Sequence, residues 1–346
     1  MANSGHDVLA DDDQLLVAEL QARPRAPWTD IGGALGISGT TASRRWNRLV
    51  TDGYAWITAY PAQLFPVTGY VWITVSPRRR RHVGATITAH PATYWVDQLD
   101  GERTFLAGVA ATSLRGIEAT ATEIAEIDGV MDVHLQLCRS VMHDGTVWQP
   151  KLAGPVDQEH PTIWRARETG DVARPSETDI RLFRALMRDG RATYTELATA
   201  TGLSDRTVRR RLPELLENRM LSTRCDVSRE TLGMESGFFL SIRWTARWRS
   251  LIGVACRMPG ARLVAGVSGA SPFLLQFWGR SIADADMVVA RLEAAVPDLH
   301  IDRIDYSVRS LKRFGRYLGP DGRVADDALA PDVDLFDYAH LADRPT

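Results

Sequence analysis

Apolar positions recur at helical spacing in two separate stretches of the chain, and in each stretch the helices come in threes. In residues 179–188, Ile180, Phe183 and the pair Leu186–Met187 fall on one face. Ser176 stands at the N-cap, and Gly190 stands where a glycine would close the helix. A short helix is predicted over 194–201, with Leu197, Ala198 and Ala200 available to pack. Gly202-Leu203-Ser204 predicts the next turn, because glycine supplies the positive φ that a tight corner between helices requires. Ser204 can then cap a third helix from Asp205, in which Val208, Leu212 and Leu215 face inward. Arg206, Arg209 and Arg210 fall on its outer side, and Pro213 should kink it about two turns in. Residues 220–227 read as a short extended wing.

The same plan stands earlier in the chain. The segment Trp28-Thr-Asp-Ile-Gly-Gly-Ala-Leu-Gly36-Ile-Ser38 matches Tyr194-Thr-Glu-Leu-Ala-Thr-Ala-Thr-Gly202-Leu-Ser204, an offset of 166. That offset also carries Leu16, Leu20, Thr41, Arg44, Arg45 and Leu49 onto Leu182, Leu186, Thr207, Arg210, Arg211 and Leu215. Here Leu15, Leu16 and Leu20 line the first helix, and Ala42, Trp46 and Leu49 point inward from the third. Thr40, Thr41, Ser43 and Arg44 point outward, with Arg45 and Arg48 at the flanks. An apolar back with a cationic front is what a helix entering a DNA groove needs, and the second copy has more of it.

After each three-helix unit comes a β-α-β-β-α-β pattern. In the first copy the strands are predicted at 70–75, 93–98, 104–110 and 130–137, with helices at 83–89 and 114–127. In the second they are predicted at 238–244, 262–267, 273–279 and 300–308, with helices at 250–257 and 282–295. Gly69-Tyr-Val-Trp-Ile aligns with Gly237-Phe-Phe-Leu-Ser, and Gly101 with Gly269, both at an offset of 168. A four-stranded sheet with both helices on one face leaves its other face open. Trp72, Trp95, Phe277 and Trp278 make that face worth burying, so sheet-to-sheet pairing is expected, between the copies or between chains. The domains are therefore 10–60 and 66–142, a linker at 143–175 with four prolines, 176–228 and 234–314, and a tail at 315–346. From Asp321 to Asp343 that tail has seven aspartates against two arginines, a composition expected to stay mobile.

Composition narrows the function classes. The 346 residues carry a net charge of −2, so any contact with nucleic acid must come from a local basic surface. The run Arg78–Arg81 is a second such surface, able to touch DNA backbone where a duplex wraps or to stay solvated. No apolar run approaches the roughly 20 residues of a membrane span, and the polar N-terminus lacks a secretory apolar region. Three distant cysteines, Cys138, Cys225 and Cys256, suit a reducing compartment, and a cytoplasmic location is expected. The eight histidines have no metal spacing, and no P-loop, dinucleotide or nucleophile-elbow motif is present. No catalytic residue, metal or cofactor is expected, and His90 and His134 are read as structural or solvated.

The order of parts resembles the leucine-responsive regulatory protein (Lrp/AsnC) family, with one complete member in each copy, over most of residues 12–312. The likeness is carried by Gly202-Leu203-Ser204 with Thr207 and Arg209–Arg211, by Gly36-Ile37-Ser38, and by the loop glycines Gly101 and Gly269. It implies an α+β chain: two winged helix-turn-helix domains and two ferredoxin-like (βαββαβ) sensor domains in tandem. It further implies a transcriptional regulator that binds double-stranded DNA, self-associates through its sensor sheets, and responds to an amino acid or other small molecule. The DNA-contacting set is then Ser204, Arg206, Thr207, Arg209, Arg210 and Arg211, with Thr40, Thr41, Ser43, Arg44 and Arg45. The ligand-contacting set is Gly101, Thr104 and Gly269. The family's loop has glycine, two residues, then aspartate; here Thr104 and Pro272 take the aspartate position.

Two alternatives share the architecture. Sirohaem decarboxylases resemble paired Lrp/AsnC units and carry a histidine-asparagine-tyrosine segment after a His-Pro-like turn. Here Ala89-His90-Pro91-Ala92-Thr93-Tyr94-Trp95 has the turn without a following histidine-asparagine pair, and the counterpart Met258-Pro259-Gly260-Ala261-Arg262 has no histidine. The other alternative is a ligand-binding or scaffolding protein without DNA binding, which would have its arginines folded back onto acidic partners.

Overall fold

A computed structural model of the chain describes residues 8–60, 67–111, 113–144, 176–218 and 220–329. All but the first two residues of the expected linker lie outside these, as does the tail from residue 330 onward. The first copy contains α1 (Asp11–Ala22), α2 (Trp28–Ala34), α3 (Gly39–Thr51), β1 (Ala55–Tyr60), β2 (Val67–Val75), α4 (Arg80–Ala89), β3 (Thr93–Leu99), β4 (Phe105–Ala111), α5 (Leu114–Ala125) and β5 (Val130–His143). The second contains α6 (Glu177–Arg188), α7 (Tyr194–Thr201), α8 (Asp205–Glu217), β6 (Ser222–Val227), β7 (Ser236–Ile242), α9 (Trp248–Arg257), β8 (Ala261–Val267), β9 (Phe273–Gly279), α10 (Asp284–Ala295) and β10 (Ile301–Arg313). The short strands β11 (Arg316–Leu318) and β12 (Val324–Leu329) follow.

The two sensor units share one closed barrel. Hydrogen-bonded neighbours run β10-β3-β4-β2-β5-β8-β9-β7 and return to β10. Closure explains why β5 and β10 outrun their predicted ends at 137 and 308. Each pairs first inside its own copy and then crosses to the other: Cys138–His143 pair with β8, and Ser307–Arg313 pair with β3. Sheets that would each expose an edge thereby lose both. The expected face-to-face pairing thus occurs within one chain. The helices cover the outside: Val83, Ile87, Ile117 and Ile124 pack on the first sheet, and Leu251, Ala255, Val288 and Leu292 on the second. Tyr70, Trp72, Trp95, Leu106, Phe239 and Leu274 fill the inside.

Strand parity corrects two sequence expectations. Side chains alternate between faces, so Phe277 and Trp278 cannot share one. Phe277 lies under the helices, its ring centroid 5.7 Å from that of Phe238. Likewise Ile73 pairs with Phe105 as Ile242 pairs with Phe273. Structural equivalence in β2 and β7 is therefore offset by 169, and the 168 alignment of Gly69 with Gly237 would place inner residues opposite outer ones.

The tail expectation is also corrected in part. β11 pairs with β10 and β12 with β11, while the Val324 N–H donates to the Gly53 carbonyl at 3.0 Å. Backbone pairing therefore orders residues that charge alone would leave in water.

Between the barrel and the helical units lies a buried charged junction. Arg224 and Asp226 on β6 are 2.7 Å apart and almost fully buried. Arg262 reaches Asp226 at 3.4 Å and stacks on Trp278, and Arg313 stacks on the same indole. Burial pulls the Arg262 guanidinium down to about 9. Arg229 donates to the Ser307 carbonyl at 2.9 Å, tying the segment after β6 to the barrel strand β10. Removing one charge here leaves others buried without compensation. Asp226→Asn is expected to lower unfolding free energy by about 3–5 kcal/mol, measured by urea denaturation, with little change at an exposed control such as Glu217→Gln.

Candidate nucleic-acid interface

Each helical unit folds around its own apolar stripe. Leu16, Leu20, Ile31, Trp46 and Leu49 are buried in the first, and Leu182, Phe183, Leu197, Val208, Leu212 and Leu215 in the second. Gly36 and Gly202 both adopt φ of +68°, the left-handed corner read from the sequence. The Ser38 hydroxyl accepts from the Thr41 N–H, and the Ser204 hydroxyl from the Thr207 N–H, each at 3.1 Å. The first turns of α3 and α8 are thus presented identically. Helix α8 continues through Pro213 to Glu217.

The expected wing differs from the reading. β6 pairs antiparallel with β1 of the other copy, from Ala55 opposite Val227 to Tyr60 opposite Ser222. The extended strands join the two units, and each contributes to its partner's core: Cys225 and Val227 pack with α1, and Ala59 packs with α6. Gly190 has a corresponding role. Helix α6 ends without a left-handed glycine, and Gly190 instead donates to the Ile57 carbonyl at 2.9 Å. A Cβ at this position would lie 2.5 Å from the Ile57 side chain and 2.9 Å from its backbone, so only glycine admits the approach.

Two arginines complete the join reciprocally. Arg25 donates to the carbonyls of Gly190 and Ala192, the latter at 2.9 Å. Arg191 donates to the carbonyls of Pro24 and Ala26, both at 2.7 Å, and stacks 3.8 Å above the Trp28 ring. The pair obeys the 166-residue offset, and that was the available signal; neither was singled out from the sequence because both precede the turn motif. They hold α3 and α8 in a set relation to each other.

The expected DNA-facing residues fall into three groups. Arg206 and Arg44 are exposed and make no ion pair or hydrogen bond among the described residues. Thr40 and Ser43 lie beside Arg44 on α3, and Thr41 and Thr207 contribute to the caps. Arg209 and Arg210 are exposed but carry local partners: Arg209 pairs with Asp205 and stacks 4.8 Å over Tyr194, while Arg210 is a loose 3.6 Å from Glu214. Arg45 is half-buried and bridges to Asp12 at 3.0 Å. Arg211 departs most from the expectation. It grips Asp179 at 2.6 and 2.9 Å and Glu214 at 2.8 Å, so it clamps α8 to α6. Those hydrogen bonds raise its guanidinium further above the ordinary value. One cationic face therefore remains on α8, made by Arg206, Arg209 and Arg210.

Arg78–Arg81 stand elsewhere. Arg79 pairs with Asp128, just before β5 begins, whereas the other end of this 14-residue strand leads to Asp144, which acts on Tyr60 of β1. The run is thus at the barrel end remote from the helical units. Of the expected ligand residues, Thr104 is buried and its hydroxyl accepts from the Val75 N–H at 3.1 Å. Gly269 has φ of +97°, which favours glycine, while a Cβ on Gly101 would meet nothing within 4 Å. His90 lies 3.0 Å from Glu123 and accepts from the Ala92 N–H. No group of three or more potential ligands able to hold a metal occurs among the described residues. No helix in them is long and apolar enough to cross a membrane.

Comparison with known proteins adds the following. The AsnC-type helix-turn-helix domain matches twice, over residues 10–50 and 176–216. No curated protein matches by sequence. Among solved structures the chain is similar to the siroheme decarboxylase NirDL, with a TM-score of 0.61 at 12% identity over 96% of this chain and 98% of that one. The complex of that enzyme with an iron-uroporphyrin III analogue gives 0.61 at 13% identity over the same shares. The chain is also similar to AsnC of E. coli, at 15% identity over 38% of this chain and 91% of that chain, with a TM-score of 0.33. At such identities the likeness to NirDL establishes a shared fold.

If the reciprocal arginines set the relation of α3 to α8, the double variant Arg25→Gln/Arg191→Gln should lower unfolding free energy by about 1–3 kcal/mol. Urea denaturation would measure it, and a loss no larger than that of Arg23→Gln would show that the carbonyl contacts contribute nothing.

Proposed function

From a chain that carries two tandem AsnC-type helix-turn-helix domains, we propose a sequence-specific DNA-binding transcriptional regulator in which a single polypeptide supplies the work of a dimer. The observation that carries this reading is the outward cationic face of α8. Arg206, Arg209 and Arg210 stand clear of the apolar stripe Val208, Leu212 and Leu215, directly after a capped N-terminus. Arginines there suit guanine edges and phosphates. The intrahelical partners of Arg209 and Arg210 are exposed pairs of little energy and would exchange for phosphate or base contacts. α3 presents Thr40, Ser43 and Arg44, a weaker cationic front, so the operator should be asymmetric. A small molecule bound in the sensor barrel would alter DNA affinity through the buried junction at Arg229 and Ser307.

The test is an anisotropy titration with DNA from upstream of the protein's own gene at two salt concentrations. Wild-type binding should weaken steeply with salt. Arg206→Ala and Arg210→Ala should each cost on the order of 1–3 kcal/mol if the contact is to a base. Unchanged affinity in both variants would remove α8 from the interface. Because NirDL shares the fold, a parallel titration with an iron porphyrin belongs beside it. A saturable Soret shift together with absent DNA binding would favour a siroheme-decarboxylase-like enzyme instead.

A further inference from the structure

The pseudo-twofold relation between the two halves of the barrel fails at one place, and the failure leaves polar atoms without partners. In the first copy Trp72 faces His134 across β2 and β5, and Tyr70 faces Gln136. In the second copy the corresponding positions hold Ser241 facing Arg303 and Phe239 facing Asp305. The Trp72 indole donates to Gln136 Oε1 at 2.7 Å, so the first half is filled and satisfied. In the second half serine replaces that indole, which removes both its bulk and its donor. Asp305 takes the place of Gln136, and its Oδ2 is buried with no hydrogen-bond partner. Arg303 donates to Asp305 Oδ1 at 3.2 Å, while its Nε is also buried and unpartnered.

A third group faces the same space. Arg103, in the hairpin between β3 and β4, stacks 4.5 Å from the Trp72 ring and makes no hydrogen bond or ion pair among the described residues. Arg303 and Asp305 both act on it electrostatically, and burial lowers its guanidinium from the ordinary value. Arg103 and Arg303 are half-buried and His134 is exposed, so this end of the barrel is open to solvent. The other end faces the buried junction of Arg224, Asp226 and Arg229. An eight-stranded barrel is just wide enough to be filled by side chains or to hold one small ligand.

We propose that this mouth, formed by Arg103, Arg303, Asp305, Ser241 and Trp72, binds a small carboxylate that also carries a hydrogen-bond donor on the adjacent carbon. The carboxylate bridges the two guanidiniums, and the donor, a hydroxyl or an ammonium, meets Asp305 Oδ2. The proposal deepens the ligand-sensing part of the preceding reading and rests on it. It differs from the expected contacts at Gly101, Thr104 and Gly269 by placing the ligand inside the barrel. Strand β10 then carries both Arg303 and Asp305 at the site and Ser307 at the contact with Arg229.

Isothermal titration calorimetry on the full chain, at constant ionic strength, tests this without DNA, so failure of DNA recognition leaves the result readable. L-lactate and glycine are the probes with a donor, and acetate is the probe without one. Saturable binding of lactate or glycine is expected, with acetate weaker by roughly tenfold. Arg103→Gln, at a half-exposed residue without hydrogen bonds, should weaken binding by roughly tenfold while leaving the urea midpoint unchanged. Ser241→Trp should abolish it by restoring the missing indole, and circular dichroism will report whether that variant folds. Lactate binding over glycine would assign hydroxy acids, and the reverse amino acids, both within the proposal. Absence of saturable heat with all three probes, equal affinity for acetate, or undiminished binding by Arg103→Gln would overturn it.

Discussion

Backbone hydrogen bonding between the two copies is the constraint on which the rest of the molecule depends. A ferredoxin-like sheet covered by helices on one side is incomplete, with an apolar inner face and two open edges. Joining β5 to β8 and β10 to β3 resolves both at once. Once the barrel is closed, its axis fixes where β6 can lie, and β6 fixes β1. The positions of the recognition helices therefore follow from strand pairing more than from contacts among the helices themselves.

The junction between these parts is polar, which sets its character. Arginines stacked on Trp278 and Phe314 and gathered about Asp226 demand particular geometry, whereas an apolar joint would tolerate sliding. Buried ionic groups of this kind are weak evidence for stability but can specify register. Arg25 and Arg191 play the corresponding part between the helical units, where neutral carbonyls receive the charge.

Much of this was legible in the sequence because the signals were local. Ser38 and Ser204 as caps, Gly36 and Gly202 as left-handed corners, and the stripe Val208, Leu212, Leu215 follow from spacing alone. What escaped was set by partners distant along the chain. The lengths of β5 and β10, the order in β11 and β12, and the pairing of β1 with β6 all depend on a strand elsewhere. The site residues divide the same way. Arg206 and Arg44 stand outward as the helical period demands, while Arg211 faces Asp179, 32 positions earlier, a contact that no local pattern announces. The glycine at 190 was recognised as special for the wrong reason: a neighbouring strand, and not a helix end, excludes its side chain.

The pairing of β3 with β10 has a consequence during synthesis. Arg313 lies opposite Trp95, so the barrel cannot close until nearly the entire chain has left the ribosome. Until then the first sensor sheet presents an unpaired edge and the uncovered rings of Trp72 and Trp95. Contacts so distant in sequence form slowly, and exposed edges of this kind invite pairing with other nascent chains. A stop or a pause late in translation would thus yield a product that is long, nearly complete and sticky. The same tandem arrangement that spares the folded protein a search for a second subunit prolongs the interval before its own last strand arrives.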